Sequence, residues 1–175
     1  MIPERALEIA TAAHAGQVDK VGRDYIHHPV SVAARLRDPD AVVVALLHDV
    51  LEDTAVTSDD LRAAGITDEQ LLGVETLTHA DDVDDETYWR SVRSVPLARV
   101  VKIADVTDNT APDRFADLEP PTADRLRAKY RRAMGVLLWD ETAAGPVRPG
   151  DWDAFVEIVR PSLATLGVDV LDPPG

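Results

Sequence analysis

Residues 40–54 read DAVVVALLHDVLEDT, seven consecutive apolar residues followed by His48, Asp49, Glu52 and Asp53. The apolar run predicts a buried helix over residues 40–51, the third and most apolar of the chain. Residues four apart share a helical face, so His48 stacks over Glu52 and Asp49 over Asp53. A buried Asp49 carries a heavy desolvation penalty unless it is paired. Glu52 and Asp53, in the last turn, face the negative end of the helix dipole, an unfavourable placement of about 0.3–1 kcal/mol each. A multivalent cation removes both objections, because imidazole nitrogen and carboxylate oxygen suit a first-row divalent ion. A plainer reading is also open: a core histidine with its hydrogen bonds met, an Asp49–arginine pair, and two solvated acids opening a loop. The segment alone does not choose between them.

Working outward, the whole chain reads as helix, and the expected fold class is all-α in a single domain over residues 1–175. Pro3 suits a first helical turn, and Ile2, Ala6, Leu7, Ile9, Ala10 and Ala13 give one face of a helix that ends near Gly16. Gly22 and Pro29 bracket a loop, and PVSVAARLR (29–37) is a second helix. Thr57 with Asp60, and Thr67 with Gln70, stand three apart at two helix starts; only the second is a standard capping box. A helical stretch from Asp85 to about Asn109 is interrupted near Pro96. Its LARVVKIADV portion is valine-rich enough to resemble a strand, but Leu97, Val100, Val101 and Ala104 follow helical spacing. A further helix starts near Thr122, and DWDAFVEIVRPSLATLG (151–167) is a last one that Pro161 is expected to kink.

Composition excludes several function classes. The chain has 175 residues, enough for one core, and 45% hydrophobic residues argue against disorder. A net charge of −14 argues against a nucleic-acid or anionic-membrane surface. The absence of cysteine rules out disulfides, thiolate metal sites and a cysteine nucleophile, and it fits the cytoplasm. The N-terminus lacks the pattern of a signal peptide, and AVVVALL is far too short to cross a bilayer. Nothing in the sequence decides whether the chain forms a homo-oligomer.

Two other segments bear on the acidic helix end. YIHHPV (25–30) holds His27 and His28 just before a helix. VVKIADVTDNT (100–110) sets Asp105 inside an apolar helical pattern, with Asp108 and Asn109 on the next turn. One loop histidine with His48, Asp49 and Asp105 makes a mixed nitrogen and oxygen site. Without thiolates, such a site favours a harder ion such as Mn2+ over structural zinc.

AHAGQ (13–17), YIHHPVSVA (25–33), ALLHDVLEDT (45–54) and VKIADVTDNT (101–110) occur in an order and separation similar to the HD superfamily of metal-dependent phosphohydrolases. The likeness is greatest to its guanosine polyphosphate 3'-pyrophosphohydrolase branch, which holds the hydrolase domains of RelA/SpoT-type enzymes and the stand-alone, MESH1-like animal enzymes. It covers residues 5–110, and RLRAKYRRA (125–133) extends it weakly. The resemblance implies an HD-domain helical bundle with a motif-bearing core at about 5–133 and C-terminal helices to about 165. It implies Mn2+ or another divalent ion held by His28, His48, Asp49 and Asp105, with Glu52 and Asp53 activating or positioning water. It further implies a small-molecule nucleotide partner met by Lys20, Tyr25, Lys102, Asn109 and Tyr130. His27, His14 and His79 receive only local structural readings.

The pattern also departs from that branch. Asp19 stands where those enzymes carry a guanine-stacking arginine, and an aspartate offers no planar cation. Arg23 is a candidate substitute. Pro112 stands where a hydroxyl commonly meets the sugar, and proline donates nothing. The basic helix 125–132 either collects phosphate or is a solvated face. The function expected is hydrolysis of a ribose-attached phosphate or diphosphate of a nucleotide, above all guanosine-3',5'-bis(diphosphate). The alternatives are another substrate, for example the 2'-phosphate of NADPH, or a non-catalytic nucleotide sensor.

Overall fold

The computed structural model describes residues 1–19, 22–111, 114, 118–138 and 160–168. Its helices are α1 (Pro3–Ala13), α2 (His27–Ala33), α3 (Pro39–Leu47), α4 (Val50–Asp53), α5 (Ser58–Ala63), α6 (Asp68–Leu77), α7 (Asp85–Ser94), α8 (Pro96–Asn109) and α9 (Pro120–Leu138). Residues 160–165 are also helical. No β-strand occurs among the described residues; two isolated bridges pair Val18 with Asp24 and Leu36 with Val168. The all-α expectation, including the helical reading of LARVVKIADV, is met. Residues 151–159 of the expected last helix lie outside the described residues, while Pro161, where a kink is expected, falls in the described helical stretch 160–165.

The apolar helix α3 is the axis of the bundle. Ala41 and Val43 to Leu47 are all at most 5% exposed, and α1, α2, α6 and α8 pack around them. Small residues allow the close approach: Ala6 and Ala10 are the buried residues of α1. On α6, a Cβ placed on Gly73 would stand 3.1 Å from both Val44 methyls. Each fully buried leucine such as Leu47 contributes roughly 1.5–3 kcal/mol.

Three helix ends differ from expectation or refine it. The Thr57–Asp60 pair forms a full capping box just as Thr67–Gln70 does, because the Asp60 carboxylate accepts from Thr57 N at 2.9 Å. α7 and α8 are separated at Val95, whose extended backbone (φ −109°, ψ 111°) is what a following proline imposes. The correction with most consequence concerns α3. It ends at Leu47 rather than running to residue 51, and α4 is a separate helix. The His48 ring takes the Ala45 carbonyl through Nδ1 at 2.7 Å. That carbonyl would otherwise accept the Asp49 amide, so a side chain breaks the ladder. Glu52 and Asp53 therefore belong to a four-residue helix, too short for the dipole penalty expected of a long one.

Candidate metal centre

Three elements converge. α2 delivers His28, with Pro29 tolerated in its first turn. The α3–α4 junction delivers His48 and Asp49, and α8 delivers Lys102, Asp105, Asp108 and Asn109 from one face. His28, His48 and Asp49 each present one ligand atom, and the three lie within 4.8 Å of one another. Ligands opposite each other on one ion, at metal–donor distances of ~2.1 Å, stand at most ~4.2 Å apart, so the group approaches the spacing a divalent cation requires. His28 Nε2 lies 3.3 Å from Asp105 Oδ1 and 3.8 Å from Asp49 Oδ2, and His48 Nε2 lies 3.0 Å from Asp49 Oδ2. Asp105 thus adjoins the group through His28, while Asn109 Nδ2 (2.6 Å) and Lys102 Nζ (2.8 Å) donate to its two oxygens.

The far sides of both rings are committed in the way a metal ligand requires. His48 Nδ1 donates to the Ala45 carbonyl, and His28 Nδ1 lies 3.1 Å from Asp108 Oδ2 and 3.2 Å from Arg114 Nη2. Each Nε2 is left aimed at the carboxylates, the arrangement that fixes tautomer and ring direction in metal sites. The electrostatics agree. Burial lowers the His28 pKa, but the hydrogen bonds to Asp105 and Asp108 outweigh it and push it up to about 9. His48 is raised too, burial opposing and Asp49 prevailing. Burial raises Asp105, yet Lys102 and His28 hold it well below the usual carboxylate range. The cluster thus calls for positive charge between ring nitrogens and carboxylates, which protons or a cation can supply.

A cavity of about 750 Å³ opens over this cluster, lined by Tyr25, His28, Asp49, Lys102, Asp105, Asn109 and Tyr130, with Asp19, Arg23 and Arg114 at its cationic and acidic wall. The remaining expected residues are distributed as follows. Tyr25 donates its hydroxyl to Asp49 Oδ2 at 2.6 Å. Glu52 and Asp53 are exposed and do not line the cavity. Glu52 Oε2 accepts the His79 amide at 3.0 Å. Lys20 and Pro112 lie outside the described residues. Arg23 is paired with Asp19 through Nε at 3.1 Å. On α9, Lys129 and Arg132 pair with Asp85 and Glu86 of α7, so the basic helix spends charge on its neighbour. His27 is exposed, whereas His79 stacks on Tyr88.

Sequence reasoning missed Asp108 and what holds it. The residue is 2% exposed and receives Ser31 Oγ, Arg35 Nη2 at 3.2 Å and Arg114 Nη2 at 2.9 Å. Its place three residues after Asp105, in an apolar pattern, was the available signal.

A helical bundle with histidine and aspartate donors converging beneath a polar cavity can hold a divalent ion. The chain's similarities place it among HD-type metal-dependent phosphohydrolases related to RelA/SpoT-type enzymes. The chain belongs to the HD-domain family, whose model matches residues 6–109. It is 29% identical over 178 residues (89% of this chain, 21% of the relative) to a GTP pyrophosphokinase of Streptomyces coelicolor. It is 34% identical over 126 residues (60% and 17%) to the bifunctional (p)ppGpp synthase/hydrolase SpoT of Escherichia coli. The chain spans between 9% and 23% of the length of such relatives. A solved structure of a metazoan ortholog of SpoT, described as hydrolysing ppGpp and acting in starvation responses, shares the fold. Its TM-score is 0.64 at 20% identity, covering 91% of this chain and 94% of that one. No helix among the described residues is long and apolar enough to cross a membrane.

Proposed function

We propose that this chain is a single-domain Mn2+-dependent phosphohydrolase of the cytoplasm that cleaves the 3'-diphosphate of guanosine-3',5'-bis(diphosphate), releasing pyrophosphate. The observation that carries the reading is the three-donor group of His28, His48 and Asp49 at a cavity that also presents Lys102, Asn109, Arg114 and Tyr130. Asp105 completes the ligand set in this reading. A bound divalent ion acidifies water and neutralises charge that develops on a phosphoryl group. The chain's own residues do the rest. Asp53 or Glu52 accepts the water proton or directs its approach. Lys102 and Arg114 take phosphate oxygens, Asn109 meets the ribose, and Tyr25 and Tyr130 wall the base, with Lys20 a further phosphate contact.

Asp19 favours a second substrate for comparison. Its pairing with Arg23 gives the wall a different chemistry from a free arginine, so the 2'-phosphate of NADPH belongs in the same assay. The test is phosphate and pyrophosphate release with Mn2+ from both compounds and a nucleotide panel. Turnover of guanosine-3',5'-bis(diphosphate) with pyrophosphate as product supports the reading, and turnover of NADPH alone moves the substrate. No turnover with Mn2+ bound refutes the enzyme and leaves a nucleotide sensor.

A further inference from the structure

We infer that Gln17 is a positioning residue for Asp53, with His14 setting the orientation of its amide. The inference rests on the reading of Asp53 as a water-directing carboxylate. Gln17 Nε2 donates to the Asp53 carbonyl at 2.9 Å. That carbonyl closes a four-residue helix, after which Thr54 turns extended (φ −135°, ψ 178°). The amide that another helical turn would supply, Thr57 N, donates to Asp60 instead at 2.9 Å. A side chain from outside α4 therefore satisfies the end of the helix.

The amide of Gln17 can face only one way. Its NH2 must meet a carbonyl, so Oε1 points back and accepts from His14 Nδ1 at 2.7 Å. His14 is 2% exposed, and its Nε2 is buried with no hydrogen-bond partner. A buried ring nitrogen left unpartnered is unusual, and here the other nitrogen does the orienting. The ring also packs against Tyr25, centroids 4.8 Å apart, and the Tyr25 hydroxyl reaches Asp49 Oδ2 at 2.6 Å. Gly16, at φ +80°, makes the reversal between His14 and Gln17. One short segment, 14–25, thus grips the 49–53 turn at both ends, by the Asp49 carboxylate and the Asp53 carbonyl.

The two acids of the turn are held differently. The Glu52 carboxylate is fixed directly by the His79 amide. The Asp53 carboxylate has no hydrogen-bond partner among the described residues, so its direction comes from its backbone, which Gln17 pins.

The experiment uses three variants of the full chain loaded with Mn2+. Gln17→Leu keeps the side-chain volume and removes both amide functions. His14→Asn keeps a donor near Nδ1, whereas His14→Phe keeps only the ring. Gln17→Leu and His14→Phe are expected to lose kcat by about 10- to 100-fold, the effect of a small misplacement of a reacting group. KM and Mn2+ affinity by calorimetry stay within about twofold, and His14→Asn restores most of kcat. Wild-type kcat in Gln17→Leu, or a parallel loss of Mn2+ affinity, overturns the proposal. Hydrogen–deuterium exchange of residues 50–57 separates this from the activity itself. It accelerates in Gln17→Leu and His14→Phe whichever nucleotide is turned over, or none, and unchanged exchange sinks the brace by itself.

Discussion

Asp108 stands behind His28, its Oδ2 3.1 Å from Nδ1, with both side chains buried. Through this contact α8 aims a ring carried by α2, and Ser31, Arg35 and Arg114 in turn hold the carboxylate. Asp108→Asn keeps the shape but removes the charge that orients the ring. Divalent metal affinity is expected to fall by about 10- to 100-fold by calorimetry, as for other partners of ligating histidines. Arg35, 5% exposed, is left short of its buried counter-charge, which destabilises the fold by roughly 3–5 kcal/mol in denaturant titration. Unchanged metal affinity would show that His28 is oriented without Asp108.

Metal and proton compete for the same ring nitrogens, which gives stability opposite pH trends with and without the ion. In metal-free protein burial lowers His28, the Asp105 and Asp108 hydrogen bonds dominate, and its pKa rises to about 9, against about 6.5 for an unfolded histidine. A raised pKa means that the folded state holds the proton more tightly. The contribution is full below about pH 6.5 and is lost as pH rises through about 9. His48 is shifted in the same direction. Metal-free protein should therefore lose Tm across this window. With saturating Mn2+ the bound protons must leave, so stabilisation by the ion grows over the same range. Melts in chelator and in Mn2+ that move together would contradict the shared site.

Arg114 offers a cleaner handle on the substrate. Asp108 already has Arg35 as a buried counter-charge, so the Arg114 guanidinium adds positive charge at the cavity wall. A charge-assisted hydrogen bond to phosphate is worth about 1.5–3 kcal/mol. Arg114→Gln is thus expected to raise KM by about 10- to 100-fold for a substrate whose phosphate it meets. Because Arg114 Nη2 also lies 2.9 Å from Asp108 Oδ2 and 3.2 Å from His28 Nδ1, metal affinity is measured alongside, and KM is read at saturating Mn2+. Steady-state kinetics on the turned-over nucleotide checks this, and an unchanged KM would remove Arg114 from the phosphate site.

How much of this was legible in the sequence depends on the range of the interaction involved. The apolar run of α3, the break before Pro96 and the residues His28, His48 and Asp49 follow from local pattern and motif. The end of α3 at Leu47 does not, because periodicity cannot show a ring taking the Ala45 carbonyl. The role of Asp108 depends on Arg35, 73 residues away. The direction of Glu52 depends on the His79 amide, 27 residues on. Acidic residues were visible in both cases; their partners were supplied by the packing of helices.

The packing of α6 on α3 gives a prediction that is independent of the site. A Cβ on Gly73 would lie 3.1 Å from both Val44 methyls and 3.4 Å from Leu97 Cβ, and a helical valine has essentially one rotamer with which to yield. Against that stands the helix preference for alanine, about 1 kcal/mol over glycine. Val44 is completely buried, so overpacking of roughly 1–3 kcal/mol outweighs propensity, and Gly73→Ala is expected to destabilise by about 1 kcal/mol. In a Val44→Ala background the methyls are gone, and the same substitution should stabilise by up to about 1 kcal/mol. Denaturant unfolding of the two single variants and the double variant measures the coupling. Additive effects would mean that α3 and α6 separate enough to admit the methyl group and that Gly73 is not needed for their approach.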